Sequence, residues 1–227
     1  CKNYLKFLDK GKTERECVKQ IVKQAEEKGY VNLADITKDK KALKAGDKVY
    51  SVCMDKTVAL FQIGKKKLEK GMNILGAHID SPRMDVKQNP LYESEEFAYL
   101  DTHYYGGIKK YQWVTLPLAL HGVVVKKDGT VITVNVGEDK NDPVFCVTDL
   151  LIHLAGEQME KKANKVIEGE NLDVLVGSKP LEGKEKDAVK EGILEILKEK
   201  YDMTEEDFMS AEIEVVPAGH AREAGLD

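Results

Sequence analysis

Residues 113–137 read WVTLPLALHGVVVKKDGTVITVNVG. Two runs dense in β-branched residues flank Lys127-Asp128-Gly129, and Asp-Gly is a strong turn signal. This pattern reads as β structure with a turn at that point, so the chain is expected to hold a sheet. The rest of the chain alternates such runs with helical patterns. Thr13 followed by Glu16 is a capping box. Val18, Ile21, Val22 and Ala25 then recur at helical spacing until Gly29, which predicts an amphipathic helix over residues 14–28. KVYSVCMDKTVALFQIG predicts a hairpin around Asp55-Lys56-Thr57. MNILGA, residues 72–77, is a short continuous apolar run and predicts a strand buried on both faces.

Further along, VTDLLIHLAGEQMEKKANKVI predicts a helix starting near Thr148, with Leu150, Leu151, Leu154 and Met159 on or near one face. NLDVLVG predicts a strand. EKDAVKEGILEILKEKYD predicts a helix through Val189, Ile193, Ile196 and Leu197. Residues 204–208 fit a short capped helical turn, and AEIEVVPAG a last strand. This order of elements fits an α/β or α+β protein. Residues 87–96, KQNPLYESEE, are polar and contain Pro90, which suggests a boundary near residue 88. The strand at 211–216 then leads back to the first domain.

Composition removes several function classes. The net charge is −5 with lysines and glutamates interspersed, so no basic footprint for nucleic acid is present and no nucleic-acid partner is expected. No apolar run approaches the roughly 18 residues of a membrane span. The opening CKNYLKFLDKGK has no signal-peptide core. Four cysteines, Cys1, Cys17, Cys53 and Cys146, lie far apart with no CxxC and read as reduced thiols. A cytoplasmic protein without membrane contact is expected. No GxGxxG follows a strand, and P-loop, GxSxG and HExxH motifs are absent.

Chemistry concentrates at the end of the apolar run, in NILGAHIDSPRMDVK. Residues i and i+2 of an extended segment point the same way, so Asp80 can orient the His78 imidazole. Metal-ligating histidines commonly give their second N–H to a carboxylate. The bland alternative is a polar loop. The other histidines have ordinary readings: His121 a packed strand residue, His103 a loop hydrogen-bond partner, His153 a satisfied histidine on an apolar helix, His220 open.

The run His78-Ile79-Asp80-Ser81-Pro82 with Val86-Lys87 after it, then Tyr105-Gly106-Gly107 and Trp113, resembles the M18 family of metallo-aminopeptidases, the aspartyl aminopeptidase family. The resemblance covers essentially the whole chain. It implies an α/β catalytic domain, partial here, carrying an inserted strand-rich dimerisation domain. Residues 1–88 would be the N-terminal part of the catalytic domain, 89–216 the inserted domain, and 217–227 the return. It implies two divalent ions per subunit, zinc first, with Co²⁺ and Mn²⁺ as alternatives. His78 falls on a metal ligand, Asp80 on the carboxylate that orients it, and His153 on a histidine that reaches a neighbouring subunit's active site. The implied partners are a peptide with a free N-terminus and further copies of the chain, dimers assembling into a tetrahedral dodecamer.

Two departures qualify these expectations. Trp113-Val114-Thr115-Leu116-Pro117-Leu118 stands where aspartyl-specific members have Trp-Phe-Asp-Arg-Asp-Leu, so a substrate range other than acidic N-termini is expected. The family's bridging aspartate, general-base glutamate and later ligands are expected downstream of Asp227, which makes the chain a portion of a longer enzyme. A non-catalytic oligomerisation module with a vestigial metal site, or another metallohydrolase, is the alternative.

Overall fold

The computed structural model describes residues 1–226. The chain forms a mixed α/β structure that divides into two compact units. One is Cys1–Ser81 with the segment from His220 onward, and the other is Pro82–Gly219. These divisions compare with sequence boundaries at 88 and 216. The polar stretch 87–96 forms the second half of a long strand and its turn. Among the described residues no helix is long and apolar enough to cross a membrane. Among the described residues no disulfide joins Cys1, Cys17, Cys53 and Cys146.

In the first unit, α1 (Lys2–Lys10) precedes α2 (Glu14–Glu27). The capping box forms as expected. The Glu16 N–H donates to Thr13 Oγ1 at 3.3 Å, and the Thr13 N–H to Glu16 Oε2 at 3.2 Å. These bonds satisfy backbone donors that the first helical turn leaves open. The α2 residues Cys17, Val18 and Ala25 are buried, as are Val49 and Tyr50. A three-stranded sheet joins β1 (Val31–Asn32), β2 (Lys48–Cys53) and β3 (Thr57–Gln62), with α3 (Leu33–Lys38) following β1. The β2–β3 hairpin turns through left-handed Met54 and Asp55, one residue earlier than the sequence suggests. Two such residues match the right-handed strand twist. The Ala221 N–H donates to Asp9 Oδ1 at 2.5 Å and fixes the returning chain on α1.

The expected strand at 72–77 is not formed. These residues are irregular, with Ile74 79% and Leu75 101% exposed. A strand requires a neighbour for its backbone groups, and among the described residues none pairs with this run.

The second unit is a seven-stranded antiparallel sheet in the order β7-β6-β10-β4-β5-β9-β8. Its strands are β4 (Arg83–Ser94), β5 (Phe97–Tyr105), β6 (Leu118–Val125), β7 (Val131–Val136), β8 (Cys146–Val147), β9 (Val174–Gly177) and β10 (Ala211–Pro217). The β6–β7 turn falls where Asp128-Gly129 predicts it, with Gly129 at φ 86°. β10 lies between β4 and β6, and Gly122 permits its approach. A Cβ on Gly122 would stand 2.0 Å from the Glu212 carbonyl oxygen. One face carries Met84, Leu100, Val124, Val134, Ile213 and Val215 into the core. Helix α5 (Ala188–Tyr201) packs there through Val189, Ile193 and Leu197.

The predicted helix from Thr148 is reduced to a 3-10 turn (Ile152–Leu154) and the four-residue α4 (Gly156–Met159). Leu150, Leu151, Ile152 and Leu154 are 55–71% exposed. Most helical stability comes from burying one face, and these side chains bury none here. The capped turn after Thr204 is present as a 3-10 helix, Glu205–Ser210.

α5 begins at Asp187, left-handed and without a side-chain cap of its own. Glu93 of β4 replaces it, its Oε2 accepting from the Val189 and Lys190 N–H groups at 2.8 and 2.9 Å. Glu93→Ala is expected to destabilise the chain by about 1–2 kcal/mol in urea denaturation, with Glu93→Gln losing less. Equal losses for the two variants would contradict this cap. Nearby, the Tyr92 hydroxyl donates to Asp173 Oδ2 at 2.6 Å. Burial first, then this bond, push the phenol well above its ordinary value. The neutral phenol therefore stabilises the fold below about pH 10, and that contribution is lost as pH rises through the folded value. Alkaline denaturation monitored by circular dichroism is expected to be shallower in Tyr92→Phe than in the parent. An unchanged profile would contradict the assignment.

Candidate metal-ligand and interface residues

His78 sits at the end of the irregular 72–77 run, with its side chain 85% exposed. Its Nδ1 lies 3.1 Å from Asp80 Oδ1 and 3.1 Å from the Asp80 carbonyl oxygen. Both partners only accept, so in the neutral ring this contact favours the tautomer with the proton on Nδ1 and the lone pair on Nε2. That tautomer is the one a metal-binding imidazole uses when a carboxylate orients it. The i, i+2 relation read from the sequence thus forms a real contact. A catalytic zinc site draws on three protein ligands. Among the described residues no group of three or more His, Cys, Asp or Glu side chains is placed to hold a metal ion. His78 fits as one member of a ligand set, and the described residues do not complete that set.

His153 lies on the exposed 3-10 turn between Ile152 and Leu154. The helix expected around it is not formed. Its neighbours present a contiguous stretch of exposed leucine and isoleucine, 151–154, which is unusual for surface exposed to water.

His103 differs from its sequence reading, and His220, left open there, lies beside an aspartate. His103 is in β5, not a loop, and stacks on Tyr104 with ring centroids 5.5 Å apart. His220 places Nδ1 3.5 Å from Asp9 Oδ2.

The sequence reading missed a polar row across the larger sheet. The register sets His121 of β6 opposite Glu214 of β10, Glu214 opposite Asp85 of β4, and Asp85 opposite His103 of β5. Directly paired residues share a face, so these groups line one rung on the side away from α5. His121 and Glu214 are each 2% exposed. Arg83 Nε donates to Asp85 Oδ1 at 2.8 Å and lies 3.3 Å from Glu214 Oε2, with its guanidinium 4.1 Å from the Tyr105 ring centroid. His121 Nε2 is 3.0 Å from Glu138 Oε1, and Glu138 Oε2 accepts from the Gly219 N–H at 3.1 Å. Buried polar partners of this kind hold one another in place, because removing one leaves the other without its hydrogen bond. Single alternations such as His121 within LALHGVVV carried the only signal, and four strands had to be registered before it could be read.

The profile of the Aminopeptidase I zinc metalloprotease (M18) family matches residues 7–227. A probable M18 family aminopeptidase 1 of Clostridium acetobutylicum is 63% identical over 222 residues, covering 97% of this chain and 48% of that protein. The crystal structure of aminopeptidase I from the same organism superposes with a TM-score of 0.88 at 60% identity, over 99% of this chain and 49% of that one. An M18 aminopeptidase structure from Thermotoga maritima superposes with a TM-score of 0.92 at 48% identity, over 99% and 48%. The chain spans about half the length of the curated relatives it matches. With the profile covering nearly all of the sequence, the chain belongs to the M18 family of zinc metalloproteases.

Proposed function

We propose that this chain supplies the N-terminal part of the catalytic domain and the assembly domain of a cytoplasmic, metal-dependent aminopeptidase. The observation that carries the reading is the His78–Asp80 pair, which favours the metal-competent tautomer of the imidazole within a family motif. On this reading two divalent ions per subunit, zinc first, are bound by His78 together with ligands that the described residues do not supply. Such ions provide a Lewis acid and an activated water for amide hydrolysis. The substrate is a peptide with a free N-terminus, and an acidic first residue is not specially favoured.

The exposed apolar stretch around His153 supports a homo-oligomeric reading. Leu150, Leu151, Ile152 and Leu154 are buried against another copy, and His153 is presented to that copy's active site as a hydrogen-bond donor for the scissile carbonyl. The assembly on this reading is a dimer that builds a tetrahedral dodecamer. The absence of a three-ligand cluster among the described residues favours a second reading, a non-catalytic assembly module with a vestigial ligand.

Peptide release separates the two. Protein expressed from the full reading frame that contains this sequence, loaded with Zn²⁺, is expected to release N-terminal residues from free peptides and not from N-acetylated ones, followed by mass spectrometry. No release with Zn²⁺, Co²⁺ or Mn²⁺ would favour the assembly module. His153→Ala is expected to lower kcat by about 10²-fold while preserving the oligomer's mass in light scattering. Full activity in that variant would remove the cross-subunit role. Asp80→Asn is expected to weaken metal affinity about 10–100-fold, measured by competition with a chelating dye. Unchanged affinity would mean that Asp80 does not orient His78.

A further inference from the structure

An apolar cavity of about 280 Å³ lies between α5 and the sheet of the second unit. Its origin is traceable to packing. The N-terminal half of α5 seats closely on β9 because Gly177 has no side chain there, and a Cβ on Gly177 would stand 2.7 Å from Ile193 Cδ1. The cavity walls include Leu120, Val136, Phe145, Ile193, Leu197 and Ile213. Protein interiors are close-packed, and voids well above water size are few. An enclosed apolar space of about 150 Å³ already takes up benzene, so this one has room for a branched aliphatic or aromatic group.

Two charged residues also border this cavity, with Asn141 and Tyr201 as further polar groups. Asp142 and Lys200 both border the cavity, and no ion pair joins them. Asp142 Oδ2 accepts from the Gly137 and Asp139 N–H groups at 3.0 and 3.3 Å, which fixes the carboxylate in place. Those backbone donors, with the Lys200 charge as a smaller contribution, hold its pKa below the usual range, so it is ionised at neutral pH. An apolar space bordered by one fixed anion and one cation that forms no ion pair among the described residues matches a zwitterion that carries a hydrophobic group.

We infer that this cavity binds a free α-amino acid with a branched aliphatic or aromatic side chain. The side chain enters the apolar space, the α-ammonium meets Asp142 and the α-carboxylate meets Lys200. This inference rests on the second unit alone and is independent of the peptidase reading.

The test is a titration of the chain, labelled with ¹³C at isoleucine δ-methyl groups, followed by NMR. L-Leucine and L-phenylalanine are expected to shift the Ile193 and Ile213 methyl signals saturably, and glycine is not. 4-Methylpentanoate lacks the ammonium and 3-methylbutylamine lacks the carboxylate. Each is expected to bind at least about tenfold more weakly than leucine. Lys200→Gln should weaken leucine by a similar factor and leave 3-methylbutylamine unchanged. Val136→Phe, which fills the space, should abolish the shifts. Because Val136→Phe perturbs the core, the exposed Lys200→Gln change decides the matter if the former fails to fold. Absence of leucine and phenylalanine shifts, equal binding of the uncharged-end analogues, or leucine binding untouched by Lys200→Gln would each overturn the inference.

Discussion

The larger sheet depends on β10 entering between β4 and β6. Every residue of β10 from Ala211 to Pro217 pairs with β6, and Glu214 and Val215 also pair with Asp85 and Met84 of β4. The strand that opens the unit and the strand that closes it are therefore antiparallel neighbours. Chain entry at Arg83 and chain exit at Pro217 emerge at the same end of adjacent strands. A unit with adjacent ends can be carried within another domain without disturbing it. His78 and Asp80 lie immediately before that entry in sequence. The cost is a sheet that closes only through contacts of high sequence separation, which slows folding. The Arg83–Glu214 pair counters register slippage at this central position, since a one-residue slip would carry the charges to the apolar face.

Local chemistry made much of this fold legible. The Thr13–Glu16 box, the Asp128-Gly129 turn and the spacing of Val189, Ile193 and Leu197 each specify an element with short-range information. Two apolar runs, 72–77 and 150–154, misled for a common reason. Hydrophobicity predicts burial, but secondary structure forms only when the run meets a partner surface. Neither run meets one among the described residues, so Leu75 and Leu151 stay exposed.

The candidate site divides in the same way. The His78–Asp80 contact was legible because it needs only i, i+2 geometry. The polar row from His121 to His103 was not, because it exists only once β6, β10, β4 and β5 are in register. The cavity beneath α5 is likewise a property of tertiary packing between the helix and the sheet. Its lining residues are spread from Leu100 to Ile213, and no local pattern unites them.

The central claim is that His78 is a metal ligand rather than a polar loop residue. The direct measurement is metal stoichiometry by mass spectrometry on protein from the full reading frame, purified with Zn²⁺ and dialysed. The account predicts about two ions per subunit for the parent and a clear loss in His78→Ala. The exposed side chain also predicts an unchanged thermal midpoint for the metal-free variant. Equal metal content in the parent and His78→Ala would contradict the claim.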